Sequence, residues 1–227
     1  SIGGDYLPLV KRPQATKRIC IDPGHGGDDN GAYGTDGLDY PNEKDFNLDI
    51  SKSVKELLQN NNFIVTMTRE TDTDMSLLAR VKACNSTYSD IMISVHNNAG
   101  VSGARGTSAL YFDATDEDNA VYFGLPSDGF ANDNNIPNPE VNTNRYKLAN
   151  STQKNVREIT RTNGYNIGSI ADWPFYLESD HHYHLGLLGY AYMMQNSDNT
   201  MPTTIVEVAF MSNKEEFKLL SKSEFRQ

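Results

Sequence analysis

The 227-residue chain has only two cysteines and no long apolar segment. Cys20 and Cys84 lack the close spacing of thiolate metal sites and redox motifs, so we expect no cysteine chemistry. Cys20 lies in an apolar run and is predicted to be a small buried hydrophobic residue. No run approaches the roughly 20 apolar residues of a membrane-spanning helix, and the start, SIGGDYLPLVKRPQ, lacks the pattern of a secretory leader. We expect a soluble or already processed chain, which can be a fragment because SEFRQ at its end resembles part of a helix.

Basic residues are also scarce, with 20 Lys and Arg against 30 Asp and Glu and a net charge of -10. Proteins that bind nucleic acid or anionic membranes need a basic surface. We therefore expect no nucleic-acid partner and no membrane insertion. With 37% hydrophobic and 22% charged residues, the composition is that of a globular protein, and the length favours one domain.

Strand and helix patterns alternate along the chain. A stripe of apolar residues at helical spacing predicts a helix that begins after Asn42 and ends near residues 60–62. A second helix is predicted around Leu77 to Cys84, and a third, short one around Phe217 to Leu220. Apolar runs predict strands at residues 19–21, 63–68, 91–96, 106–112 and 203–210. The alternation predicts an α/β fold, a single domain with a twisted, mostly parallel sheet flanked by helices. Residues 113–144 and 170–200 are predicted to be irregular insertions, and residues 148–162 have weak helical character.

Glu207 is the most anomalous residue because it lies inside the apolar strand TTIVEVAF. A buried charge must be matched by a cation or donors, or be protonated, and such environments are typical of functional sites. A structural ion pair is the alternative.

Three further residues stand at places where an α/β sheet carries its ligand sites. His96 ends a predicted parallel strand, His25 lies in the glycine-rich loop PGHGG, and Glu43 follows the predicted helix cap Asn42. Each residue also has another interpretation. His96 could be a hydrogen-bonded structural histidine, and Glu43 could be a carboxylate that stabilises a helix start. The glycines around His25 could form a phosphate-binding loop, although the usual spacing of such a motif is absent. Together, two histidines and one glutamate make a zinc site with an open position, and Glu207 could be the general base. An arrangement with Glu207 as a ligand and His25 or Glu43 outside the metal shell stays open.

Four motifs resemble, in order, those of zinc-dependent N-acetylmuramoyl-L-alanine amidases of the amidase 3 family: IDPGHGG, NEKDFNLDI, SVHNNAG and TTIVEVAFMSN. The resemblance runs from about Ile19 to the end, so residues 19–227 would form the zinc amidase catalytic domain and residues 1–18 an N-terminal extension. It implies zinc held by His25, Glu43 and His96, with Glu207 as the catalytic glutamate.

The resemblance implies a peptidoglycan hydrolase that cleaves the amide bond between N-acetylmuramic acid and the L-alanine of the stem peptide by zinc-activated water. Glu207 would take the water proton and return a proton to the alanine amine, and no organic cofactor is needed. Two alternatives remain: a zinc peptidase that acts within the stem peptide, and an inactive cell-wall-binding module, against which the presence of Glu207 speaks.

The implied substrate is a muramyl peptide, and the implied location is extracellular or in the cell envelope, or cytoplasmic before release in the case of a phage lysin. Phage lysins, sporulation enzymes and autolysins share this domain. Since a net charge of -10 gives no general attraction to anionic wall polymers, a separate wall-targeting module outside this chain is possible. His181, His182 and His184 are assigned to an exposed polar loop, not to the metal site.

Overall fold

The computed structural model describes residues 16–34, 41–100, 104–111, 139–160, 169–171, 187–188, 191 and 201–227. The strands are β1 (Arg18–Pro23), β2 (Ile64–Met67), β3 (Ile91–Asn98), β4 (Ser108–Tyr111), β5 (Ser169–Ala171) and β6 (Thr203–Phe210). The helices are α1 (Glu43–Asn60), α2 (Leu77–Ser86), α3 (Pro139–Thr160), α4 (Lys214–Leu220) and α5 (Ser223–Arg226). Within this part of the chain, no helix has the length and apolar character that crossing a membrane requires.

The six strands form one sheet in the order β2-β1-β3-β6-β4-β5. All neighbouring strands are parallel except β4 and β6, which are antiparallel. The predicted α/β fold with a mostly parallel sheet is therefore confirmed. Because β1, β3 and β6 are adjacent and parallel, their carboxyl ends lie at the same edge, and this edge carries the candidate site.

Two hydrophobic clusters cover the sheet. One contains Ile21 of β1 with Phe46 and Ile50 of α1 and Phe217 of α4. The other contains Cys20 of β1 with Val81 of α2, residues 187, 188 and 191, and Ile205 of β6. Consecutive residues of β1 enter different clusters, as expected for a strand buried on both faces. Within the predicted apolar stripe of α1, Leu57 is an exception, because it is 54% exposed.

Two predictions about the insertions need correction. Residues 113–144 were expected to be irregular, but α3 begins inside them at Pro139 and includes most of the weakly helical segment. Residues 170–200 were also expected to be irregular, but they contain the end of β5 and helical residues at 187–188 and 191. Turn-forming residues in these segments obscured the helical spacing of apolar residues. His181, His182 and His184 lie outside the described residues.

Cys20 is buried as predicted, but it is not an isolated thiol. It forms a disulfide with Cys84, 64 positions later, which joins β1 to α2. The expectation of no cysteine chemistry was wrong because the pairing depends on α2 packing against β1. Cys84 and Arg80 are four residues apart and share the buried face of α2, so the disulfide lies one helical turn from Arg80.

Candidate metal centre

His25 lies in the loop that leaves β1, at a backbone conformation that is unusual for histidine. Its φ is 59°, in the left-handed region, which costs a residue with a side chain about 1 to 3 kcal/mol and persists only where the surroundings enforce it. Gly24, just before it, lies beneath the ring of His96, where a β-carbon would approach the imidazole to 2.2 Å. The glycines of PGHGG therefore let the loop pass close to β3.

Glu43 is the first residue of α1 and is 3% exposed. One loop and one strand donate backbone amides to it: the N–H of Ala32 to Oε2 at 2.7 Å, and the N–H of Asn97 at the end of β3 to Oε1 at 3.0 Å. The Asn47 amide, one turn along α1, donates to Oε1 at 3.1 Å. These donors fix the orientation of the carboxylate independently of the histidines.

The two histidines flank this carboxylate. Nε2 of His25 lies 3.1 Å from Oε2 of Glu43, and Nδ1 of His96 lies 3.0 Å from Oε1. The two rings are in edge-to-face contact, with centroids 4.8 Å apart. One potential ligand atom from each of the three residues lies within 4.8 Å of the other two. The structure thus brings together the three predicted ligands from a loop, a helix and a strand.

This donor set fits zinc. Two imidazoles and one carboxylate are typical of a catalytic zinc site with an open position. Ligands at 2.0 to 2.2 Å from a tetrahedral ion lie roughly 3.3 to 3.6 Å from one another, slightly more than the 3.1 and 3.0 Å that separate Glu43 from the two histidines. The Nδ1 atom of His25 lies 2.8 Å from Asp29, as expected for a ligand whose other nitrogen is oriented by a carboxylate.

The protonation of these groups reflects their mutual contacts. Burial opposes a charged imidazole at His25, but the hydrogen bonds to Glu43 and Asp29 prevail and raise the pKa of His25 to about 9. Burial likewise opposes ionisation of Glu43, yet hydrogen bonds from both histidines hold the pKa of Glu43 well below its usual range. The site therefore keeps an ionised carboxylate at its centre, and this charge favours a cation.

Glu207 lies beside this cluster on β6. Its Cα is the register partner of His96 on β3 and of Ser108 on β4. Register partners on parallel strands point to the same face of the sheet, so Glu207 and His96 emerge side by side. Glu207 is 3% exposed and His96 is 8% exposed. The cluster of three candidate ligands contains no atom of Glu207.

Two buried arginines, neither of them predicted from the sequence, support the His25 loop. Arg80 of α2 donates to the carbonyls of Pro23 and His25 and forms an ion pair with Asp22 at 2.9 Å. Arg69, which follows β2, donates to the carbonyls of Pro23 and Gly24. Both lie in the segment TRETDTDMSLLAR, where they look like ordinary surface charges. Nothing in their spacing predicts that they bind carbonyls of the loop.

Asn47 and Asn97 were also missed. Asn97 donates to Oδ1 of Asn47 at 2.8 Å, which links the end of β3 to α1 beneath Glu43. Both side chains are buried. The four-residue spacing between Glu43 and Asn47 could have indicated that the two share one face of the helix.

Residues 19–227 match the protein family described as Amidase_3, N-acetylmuramoyl-L-alanine amidase. The N-acetylmuramoyl-L-alanine amidase LytC of Bacillus subtilis is 39% identical over 106 residues, which are 47% of this chain and 21% of LytC. The germination-specific N-acetylmuramoyl-L-alanine amidase of the same species is 29% identical over 228 residues, covering 94% of this chain and 75% of that protein. The chain thus spans about a fifth of LytC and three quarters of the second relative.

Solved structures show the same fold. An N-acetylmuramoyl-L-alanine amidase from Clostridium difficile 630 superposes with a TM-score of 0.66 at 21% identity, over 94% of this chain and 90% of that chain. Cwp6 from Clostridium difficile superposes with a TM-score of 0.65 at 25% identity, over 93% of this chain and 27% of that chain. These likenesses agree with the observed sheet and its flanking helices.

Proposed function

Because the chain belongs to the Amidase_3 family of N-acetylmuramoyl-L-alanine amidases, we propose that it is a zinc-dependent peptidoglycan hydrolase. The bond it cleaves is the amide between the lactyl group of N-acetylmuramic acid and the L-alanine of the stem peptide. Residues 19–227 are its catalytic domain, and residues 1–18 precede it as an extension.

The observation that carries this proposal is the convergence of His25, Glu43 and His96 with Glu207 on the neighbouring strand. Two imidazoles and a carboxylate would hold zinc, and the adjacent carboxylate stays outside the ligand set. A metal site with a separate base is an arrangement that can hydrolyse an unactivated amide. This division of roles argues against the arrangement in which Glu207 is a ligand.

When bound by His25, Glu43 and His96, zinc would polarise the scissile carbonyl and lower the pKa of the attacking water. The residues of the chain supply the remaining steps. Asp29 orients the His25 ring by accepting from its Nδ1, and the backbone amides of Ala32 and Asn97 keep the Glu43 carboxylate in place. These contacts fix the ligands before substrate arrives, so reorganisation during the reaction is small.

Glu207 acts as the proton carrier. It accepts a proton from the attacking water as the oxygen bonds to the carbonyl carbon, and it returns a proton to the alanine nitrogen as the carbon–nitrogen bond breaks. The products are the free lactyl carboxylate of the muramic acid and a stem peptide with a new alanine amino terminus. Glu207 is almost fully buried in β6, which limits the access of bulk water during both transfers.

The location proposed for this activity is outside the cytoplasm, in the cell envelope or the extracellular space, since the relatives include cell-wall amidases. The Cys20–Cys84 disulfide supports it, because disulfides persist mainly in oxidising compartments. Retention on the wall would then depend on groove contacts or on a separate wall-targeting module.

Labelling of new amino termini in purified peptidoglycan tests the proposal. After digestion, the amidase should release N-terminal L-alanine in proportion to time and enzyme. A peptidase acting within the stem would instead expose a later stem residue, and a binding module would expose none.

A further inference from the structure

Arg69 makes an unusual set of contacts for a buried cation. The residue is 3% exposed, and its side chain donates hydrogen bonds to four backbone carbonyls. Nε donates to Pro23 at 2.9 Å, Nη1 donates to Thr71 at 3.1 Å, and Nη2 donates to both Gly24 at 2.8 Å and Lys44 at 2.9 Å. The guanidinium thus binds backbone from three separate segments.

Two of these segments carry candidate zinc ligands. Gly24 immediately precedes His25, and Lys44 immediately follows Glu43. One nitrogen of Arg69, Nη2, therefore bridges the peptide beside the first ligand and the peptide beside the second. Nδ2 of Asn47 makes a second link between the same segments, because it donates to the Gly24 carbonyl at 3.3 Å and to Oε1 of Glu43 at 3.1 Å.

The His25 loop needs such external support. His25 has a φ of 59°, and the next residue, Gly26, has a φ of 131°. A β-carbon at Gly26 would lie 3.0 Å from Nε of Arg69, so the loop is packed directly on the guanidinium. Between Gly24 and Asp29, the described backbone–backbone hydrogen bonds are the one from the Gly24 N–H to the Val95 carbonyl at 2.9 Å and the two of the Gly26–Asp29 bridge.

We propose that Arg69 is a positioning residue that sets the separation of His25 and Glu43 and thereby the affinity and geometry of the metal site. The inference rests on the proposed function, because it takes these two residues as zinc ligands. The planar guanidinium supplies several hydrogen-bond donors in fixed directions. A lysine ammonium is a compact charge on a flexible chain and cannot donate in all of these directions at once. The shape of the side chain, and not its charge alone, is what the site requires.

The test compares Arg69→Lys with the wild type and with Arg226→Lys. Arg226 also donates to a backbone carbonyl, that of Leu220, pairs with Asp49 and lies over the Phe46 ring, but its described hydrogen bonds do not reach the backbone beside His25 or Glu43. Zinc affinity is measured by competition with a chromogenic chelator, and metal geometry by the visible spectrum of the cobalt-substituted protein. Thermal unfolding of the metal-free proteins reports stability, and all titrations are repeated in concentrated sucrose, which favours compact states.

Arg69→Lys should bind zinc roughly ten- to hundredfold more weakly and should have a changed cobalt spectrum. Arg226→Lys should bind zinc within about twofold of the wild-type affinity and should have the wild-type cobalt spectrum. Equal zinc affinity and equal spectra for Arg69→Lys and the wild type would overturn the proposal. An Arg69→Lys protein that stays unfolded even in sucrose would also overturn it, because Arg69 would then serve the fold as a whole. A wild type that binds no zinc would instead refute the proposed function.

Discussion

His96 and Glu207 are direct register partners on the adjacent parallel strands β3 and β6. Each is buried, and the two side chains emerge on the same face of the sheet. His96 also contacts Glu43 at 3.0 Å. A candidate metal ligand and a candidate base therefore have a separation fixed by the hydrogen-bond ladder of the sheet, which is stiffer than a loop.

The role of Glu207 can be separated from that of the ligands. Glu207→Gln should retain zinc but lose turnover by on the order of a hundredfold or more, because the amide cannot carry a proton between water and amine. Zinc content and hydrolysis rate are measured on the same preparation. If Glu207→Gln lost its zinc and His96→Ala kept it, the two assignments would have to be exchanged.

We expect one tightly bound zinc per chain, held by His25, Glu43 and His96. Elemental analysis should find this stoichiometry, chelation should abolish hydrolysis, and added zinc should restore it. His96→Ala should lose the metal because only two of the three donors remain. Full activity in a protein free of transition metals would remove the basis of the mechanism.

The disulfide should contribute substantially to stability. Cys20 and Cys84 are 64 positions apart, and closing a loop of that length stabilises a fold by about 4 kcal/mol in the chain-entropy account. A Cys20→Ala, Cys84→Ala double variant should therefore unfold at a clearly lower denaturant concentration. Thiol titration of the denatured, unreduced wild type should find no free thiol. Two reactive thiols in that titration would show that the bond is absent.

Much of this fold could be predicted from the sequence. The apolar runs of β1, β3 and β6 and the stripe of α1 predict a parallel sheet, because their periods are local properties of the chain. The antiparallel pairing of β4 with β6 could not be predicted, since strand direction depends on how the chain returns to the sheet. The Cys20–Cys84 bond could not be predicted either, because it depends on how α2 packs against β1.

For the site, the sequence predicts which acidic and imidazole side chains are functional, but it does not predict the residues that hold them in position. His25, Glu43 and His96 stand out because each interrupts a regular pattern at the end of a strand or the start of a helix. Arg69 and Arg80 interrupt nothing, and their contacts with backbone carbonyls exist only once the loop has folded. Support of this kind depends on the folded backbone and not on a local pattern in the sequence.

The net charge of -10 leads to a prediction about wall binding. Gram-positive walls carry anionic polymers, which should repel the domain or leave it unattracted. The Glu207→Gln protein, which leaves the substrate intact, should sediment weakly with intact walls. Wild-type hydrolysis should stay flat or rise modestly as salt approaches physiological strength and screens the repulsion. Tight binding at low salt that collapses on adding salt would instead reveal a local basic patch.

Mass spectrometry of the products from purified peptidoglycan tests the central claim most directly. The zinc-loaded wild type should release intact stem peptides that begin with L-alanine and leave glycan strands whose muramic acid carries a free lactyl carboxylate. Glu207→Gln, at equal zinc content, should yield these products at a rate lower by a hundredfold or more. Stem peptides cut at an internal bond, with the muramic acid to alanine link intact, would contradict the account.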